Sequence, residues 1–176
     1  MGINRIAQTA GVNKNLIYRY FSSVDNLVET YIREKDFWLA DNKDFETGVG
    51  QLDSPDQIVE AIVRILQDQL IYFAREEEMQ HLILSEISEN DDLLKRITHL
   101  REEMAGPFFE RTDHYLGHTD VNFRGVAALL VSGIYYLVLQ SKKNEAINCG
   151  INMRKPEGME VILKSIRQIV EMVFHK

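Results

Sequence analysis

A chain of 176 residues with 45% hydrophobic composition can bury a substantial core, which excludes a disordered protein and fits one large domain or one domain with a small appendage. The single cysteine, Cys149, excludes an internal disulfide; no signal-peptide pattern opens the chain, and the most apolar run, Val126 to Leu139, is short for a membrane span, so the reading is a soluble, cytoplasmic protein. The formal charge of -7 is unevenly spread: residues 1–24 carry Arg5, Lys14 and Arg19 with no carboxylate, whereas the rest sets 17 Lys and Arg against all 27 Asp and Glu, so only the head suits a phosphate backbone.

Periodicity predicts an all-α protein. Residues 3–10 and 14–21 read as two short helices separated by Gly11, which supplies the positive φ of a tight turn, and by Val12 as a wedge between them. From Asp25 to about Phe45 the apolar residues recur at helical spacing. Ser54, Pro55 and Gln57 give a cap, a first-turn proline and a capping-box partner for a helix running to about Glu76. Another helix covers Glu77 to Ser88, and Asn90 or Asp91 caps the next, which Gly106-Pro107 kinks or ends before the chain continues towards Leu116. Thr119 or Asp120 begins a long apolar helix to about Lys142; a loop with Cys149, Gly150 and Pro156 then leads to a last helix from Glu157 to Phe174. No segment alternates in strand fashion.

The opening residues divide as a helix-turn-helix must, with one side for packing and the other for DNA. Ile6, Ala7, Ala10, Val12, Ile17 and Phe21 are the apolar set. Asn13 can cap the second helix, and Lys14, Asn15, Tyr18 and Arg19 lie at its front or on its exposed side. Spacing alone is equally compatible with a small amphipathic pair carrying a solvated basic face.

The pattern Ile6-Ala7-x-x-Ala10-Gly11-Val12-x-Lys14-x-x-Ile17-Tyr18-x-Tyr20-Phe21 resembles the helix-turn-helix of the TetR family of transcriptional regulators, over about residues 3–32. The resemblance implies an N-terminal helix-turn-helix DNA-binding domain over residues 1–45, incomplete and with a connecting helix, and a helical effector-binding and dimerisation domain over residues 46–176. It places Asn13, Lys14, Asn15, Leu16 and Arg19 on the recognition helix and gives Tyr18 and Tyr20 to phosphates. Two departures accompany it. The family's phosphate-binding lysine after the Phe is replaced by Ser22-Ser23-Val24, and its first helix would precede residue 3, which the reading takes as an omitted N-terminal segment.

Aromatics in the acidic body are numerous enough to line an effector cavity, although most aromatics at helical spacing are core. The candidate ligand-binding residues are Trp38, Gln69, Tyr72, Phe73, His81, Phe108 and Tyr135, with His99 a further polar candidate, and the expected effector is small and apolar or amphipathic. The last helix carries Met159, Ile162, Leu163, Ile166, Ile169, Val170 and Val173 as an apolar seam. The resemblance implies a homodimer built on this helix and the one before it, with Leu129, Tyr136, Ile162, Ile166, Ile169 and Val173 at the interface and two heads on a palindromic double-stranded DNA operator.

Enzymatic patterns are weak. Glu78-x-x-His81 occurs once where a di-iron bundle needs two copies, and Glu110, His114 and His118 approach Gly117, where the helix is ending. No nucleophile triad or phosphate loop is present, so the reading is a non-enzymatic protein without a cofactor or metal. The function expected is a TetR-like repressor released from its operator by a small effector. The alternative is a helical small-molecule-binding or dimerisation protein whose head does not bind DNA.

Overall fold

A computed structural model describes residues 2–40, 54–143 and 147–174. The head consists of α1 (Ile3–Ala10), α2 (Lys14–Phe21) and α3 (Val24–Lys35); the body consists of α4 (Pro55–Arg75), α5 (Glu77–Ser88), α6 (Asp92–Leu116), α7 (Phe123–Lys143) and α8 (Pro156–Phe174). This all-α architecture is the one expected from periodicity. The domain boundary expected between residues 45 and 46, and Phe45 itself, lie outside the described residues.

Helix α4 is the axis of the body. Ser54 Oγ accepts the Gln57 N–H at 3.3 Å and Pro55 occupies the first turn, so the start is set locally. Its inner face buries Ile58, Ile62, Val63, Leu66, Leu70 and Phe73 against α8 and α7. Each fully buried side chain of this size contributes roughly 1.5–3 kcal/mol by leaving water. Gln67 Nε2 donates to the Leu163 carbonyl at 2.9 Å, pinning α4 to α8.

Two helix boundaries and one loop differ from the sequence reading, and of the two alternatives at Gly106-Pro107 an end of the helix does not occur. Helix α3 stops at Lys35, about ten residues early, because the Asp36 carboxylate accepts the Trp38 and Leu39 N–H groups at 2.9 and 3.2 Å and turns the chain. Helix α6 runs unbroken from Asp92 to Leu116 through Gly106-Pro107, so the proline removes one ladder donor without ending the helix. Helix α7 begins at Phe123 rather than near Thr119, with Asn122 Oδ1 accepting the Gly125 N–H at 3.1 Å. The expected plain loop contains a two-residue hairpin: β1 (Ile147–Asn148) pairs antiparallel with β2 (Ile151–Asn152). Cys149 and Gly150, at φ 49° and 80°, form its turn, which is too short to show alternation in sequence.

The hairpin seats directly on α8. Gly158 is buried there, and a Cβ placed on it would lie 2.0 Å from the Asn152 carbonyl oxygen. That oxygen belongs to the backbone, so it does not yield cheaply. Gly158→Ala is expected to cost about 1–3 kcal/mol in urea denaturation, with the hairpin displaced. An unchanged midpoint would show that the hairpin does not rest on this helix.

Candidate functional site

The head presents a basic, aromatic surface on a short rigid element. Gly11 at φ 67° closes α1, its N–H reaching the Ala7 and Gln8 carbonyls, and the Asn13 side chain accepts the Asn15 N–H at 2.9 Å to start α2. Ala7 and Ile17 are buried between the helices, while Ile6 and Phe21 are half-buried. Ala10 and Val12, expected in this packing, are exposed: Val12 lies in the turn, its N–H bound to the Ala7 carbonyl, and inserts between nothing. Asn13, Lys14, Asn15, Leu16, Tyr18, Arg19 and Tyr20 are all exposed. Capping occupies the Asn13 oxygen, leaving its amide N–H groups for a partner. Ser23 Oγ caps α3 through the Asn26 N–H at 3.0 Å, directly before Val24.

Behind the head, α3 is clamped to the body at several points. The Tyr31 hydroxyl donates to Glu78, and that carboxylate raises the tyrosine pKa above its ordinary value. The Tyr72 hydroxyl donates to the Lys35 carbonyl at the last turn of α3. The strongest clamp is ionic. Asp36, 1% exposed, receives Arg101 Nε at 2.9 Å and Nη2 at 2.6 Å, and Arg101 Nη1 donates to Glu86 at 2.7 Å. Burial works against the Arg101 charge, but its hydrogen bonds to Glu86 and Asp36 outweigh this and hold its pKa above the ordinary arginine value.

A cavity of about 660 Å³ lies between α4, α5, α6 and α7, within the size range of small-molecule sites. Its walls are largely apolar, with Leu66, Phe108, Phe123 and Ala127 among them, and it includes Arg101 and Glu86 themselves. Trp38 lines it too, its indole N–H donating to the Tyr135 hydroxyl at 3.1 Å. Burial raises the Tyr135 pKa despite the opposing pull of that hydrogen bond, so the hydroxyl stays neutral.

Of the residues expected to bind ligand, the structure brings Trp38, Phe108 and Tyr135 to this cavity. Gln69, Tyr72 and Phe73 instead line a small neighbouring void with Asp36 and Phe37, because the C-terminal turns of α4 face the end of α3 while Ile62, Ile65 and Leu66 face the cavity. Gln69 is 1% exposed, with its side chain beside the Tyr135 hydroxyl. His81 and His99 are exposed on α5 and α6 and line neither space; His99 pairs with Glu103 across one turn. Glu86 and Arg101 escaped the sequence reading although each carries a signal. Arg101 lies one turn from buried Ile97, and Glu86 three residues from buried Ile83, so both are charges on apolar stripes.

The outer surface of the body carries a second set of expected residues. Leu129 and Tyr136 on α7 are exposed, as is Ile169 on α8. Ile162 and Val173 are half-buried against the core. Ile166, expected at the interface, is 2% exposed and part of the protomer's own core, facing inward on α8. Val161 and Met172, absent from the expected seam, are exposed on the same helix as Ile169. Among the described residues one helix, Phe123–Lys142, is long and apolar enough by length and composition to cross a membrane, exceeding the Val126–Leu139 run. Its buried apolar residues, Phe123, Ala127, Ile134 and Val138, belong to the core cluster shared with α4. No group of three potential metal-ligating side chains occurs among the described residues, and Glu78 is engaged by Tyr31.

Residues 1–31 match the family model described as bacterial regulatory proteins, tetR family. No curated protein and no solved structure matches the chain significantly. The match covers most of the head, through the greater part of α3, and supports a DNA-binding transcriptional regulator of the TetR type.

Proposed function

We propose that this regulator is a homodimeric repressor whose two heads hold a palindromic operator and release it when a small effector fills the body cavity. The observation that carries the reading is a continuous path of contacts. Asp36, the residue that ends α3, is held by Arg101, and Arg101 is also part of the cavity wall. A ligand that rearranges this wall changes what holds the last turn of α3, and α3 packs on the recognition helix α2. Coupling of ~1–3 kcal/mol between the two sites alters operator affinity usefully.

Dimerisation is supported by exposed apolar side chains on α7 and α8. Leu129 and Tyr136 on α7, with Val161, Ile169 and Met172 on α8, leave large apolar side chains exposed on both helices. Pairing them about a two-fold axis gives a four-helix interface and sets two heads on one duplex.

Selection of bound DNA from a random pool with the full chain tests the reading. Tyr18→Phe is expected to weaken binding to every selected sequence by a similar factor, since a phosphate contact carries no sequence information. Asn15→Ala and Arg19→Ala are each expected to cost ~1–3 kcal/mol on the preferred site and to change which sequences are selected. Affinity should fall steeply with added salt as counterions are released. Equal losses on all DNA for all three variants would remove Asn15 and Arg19 from base reading. Salt-independent binding would refute the mode altogether.

A further inference from the structure

We propose that the cavity is built for an amphipathic cation, an apolar body carrying a protonated amine, with the amine received by the unpaired oxygen of Glu86. The proposal rests on the effector reading above and adds the chemical class of the effector. It starts from a hydrogen-bond imbalance. Glu86 spends one oxygen, Oε2, on Arg101, while Oε1 is buried and has no partner. A buried carboxylate oxygen without a donor is costly, and a donor entering the cavity removes that cost.

The cations of the wall are already engaged. Arg101 is shared between Asp36 and Glu86, and Arg124 binds Asp113 at 2.8 Å while its guanidinium lies 4.9 Å from the Phe109 ring centre. Glu102, also on the wall, pairs with no cation among the described residues. Among the described residues, Glu86 and Glu102 on the wall and their neighbours Asp36 and Asp113 thus stand against Arg101 and Arg124. An anionic ligand would have to pull an arginine from a carboxylate and then face the carboxylates it left. A neutral ligand fills the apolar volume but leaves Glu86 Oε1 without a charged partner. An ammonium group meets both demands, and the Leu66, Phe108 and Phe123 walls accept its apolar body. Because Glu86 also holds Arg101, the same ammonium competes for the group that anchors Asp36 at the end of α3.

Three probes with one chain length separate the alternatives: decylamine, decanol and decanoate, titrated at neutral pH below their micellar concentrations. Trp38 is the single tryptophan and lines the cavity, so its fluorescence reports binding directly. Decylamine is expected to bind about tenfold or more tightly than decanol, and decanoate most weakly. Glu86→Gln is expected to abolish the preference for the amine while leaving decanol affinity within about twofold, which also shows that the variant cavity is intact. Decanol or decanoate binding as tightly as the amine, no saturable amine binding, or a preference that survives Glu86→Gln would each overturn the proposal. The comparison of probes on the unaltered protein decides the matter even where the variant does not fold. Operator affinity is measured in the same samples. Amine binding that depends on Glu86 but leaves operator affinity unchanged keeps the site and refutes release by effector; release by another compound while the amine is inert does the reverse.

Discussion

Arg101→Met lowers the free energy of unfolding by about 3–5 kcal/mol, because it strands two carboxylates that the protein interior otherwise satisfies. Asp36 is 1% exposed, and the Glu86 and Arg101 side chains are each 12% exposed, so water cannot readily replace the guanidinium. Methionine preserves much of the apolar stem, which confines the loss to the charge and its three hydrogen bonds. Urea titration measures the effect, and adding Asp36→Asn and Glu86→Gln should restore a large part of it, since the cost lies in unpaired charge. A loss under about 1 kcal/mol would place this triad with ordinary surface pairs. The functional consequence follows from position: with Asp36 unanchored the end of α3 loses its strongest link to the cavity wall, so operator affinity should no longer respond to effector.

Ile166→Glu and Ile169→Glu, three residues apart on α8, should have opposite kinds of effect. Ile166 is 2% exposed within the core, so a glutamate there either buries a charge or expels the side chain and leaves a cavity; the protomer loses roughly 3–5 kcal/mol and unfolds early on heating. Ile169 is 40% exposed, and glutamate there should change protomer stability by less than about 0.5 kcal/mol while converting the proposed dimer to a folded monomer. Circular dichroism melts and analytical sedimentation read the two outcomes separately. A native melt for the Ile166 variant would contradict its place in the core. A dimeric Ile169 variant would move the interface off this helix.

Sequence alone disclosed what local chemistry decides. Gly11 and Asn13 announce the turn and the start of α2; Ser54-Pro55 and Asp91 announce α4 and α6, and the structure uses each of them as a cap or turn. What depends on distant partners was hidden. Trp38 and Leu39 continue the helical spacing of α3, and nothing near Asp36 reveals that its partner is Arg101, 65 residues away. The cavity was legible through Trp38, Phe108 and Tyr135, which are large and aromatic, and illegible through Glu86 and Arg101, which composition assigns to solvent. Ile166 and Ile169 both read as apolar seam, since helical spacing defines a stripe too wide to separate the residues facing α4 from those facing outward.

The joint between α7 and α8 has a mechanical consequence. Arg154 Nε donates to the Ser141 carbonyl at 2.6 Å, Asn148 Nδ2 donates to Gln140 Oε1 at 3.1 Å, and the Asn152 carbonyl abuts Gly158 with no room for a methyl group. These contacts tie the end of α7 to the start of α8 through the hairpin, while each helix packs along α4. In the proposed dimer two such tied pairs form the shared frame. The short turn at Asp36 and the seating of α3 lie outside that frame, on the route from the cavity to the head.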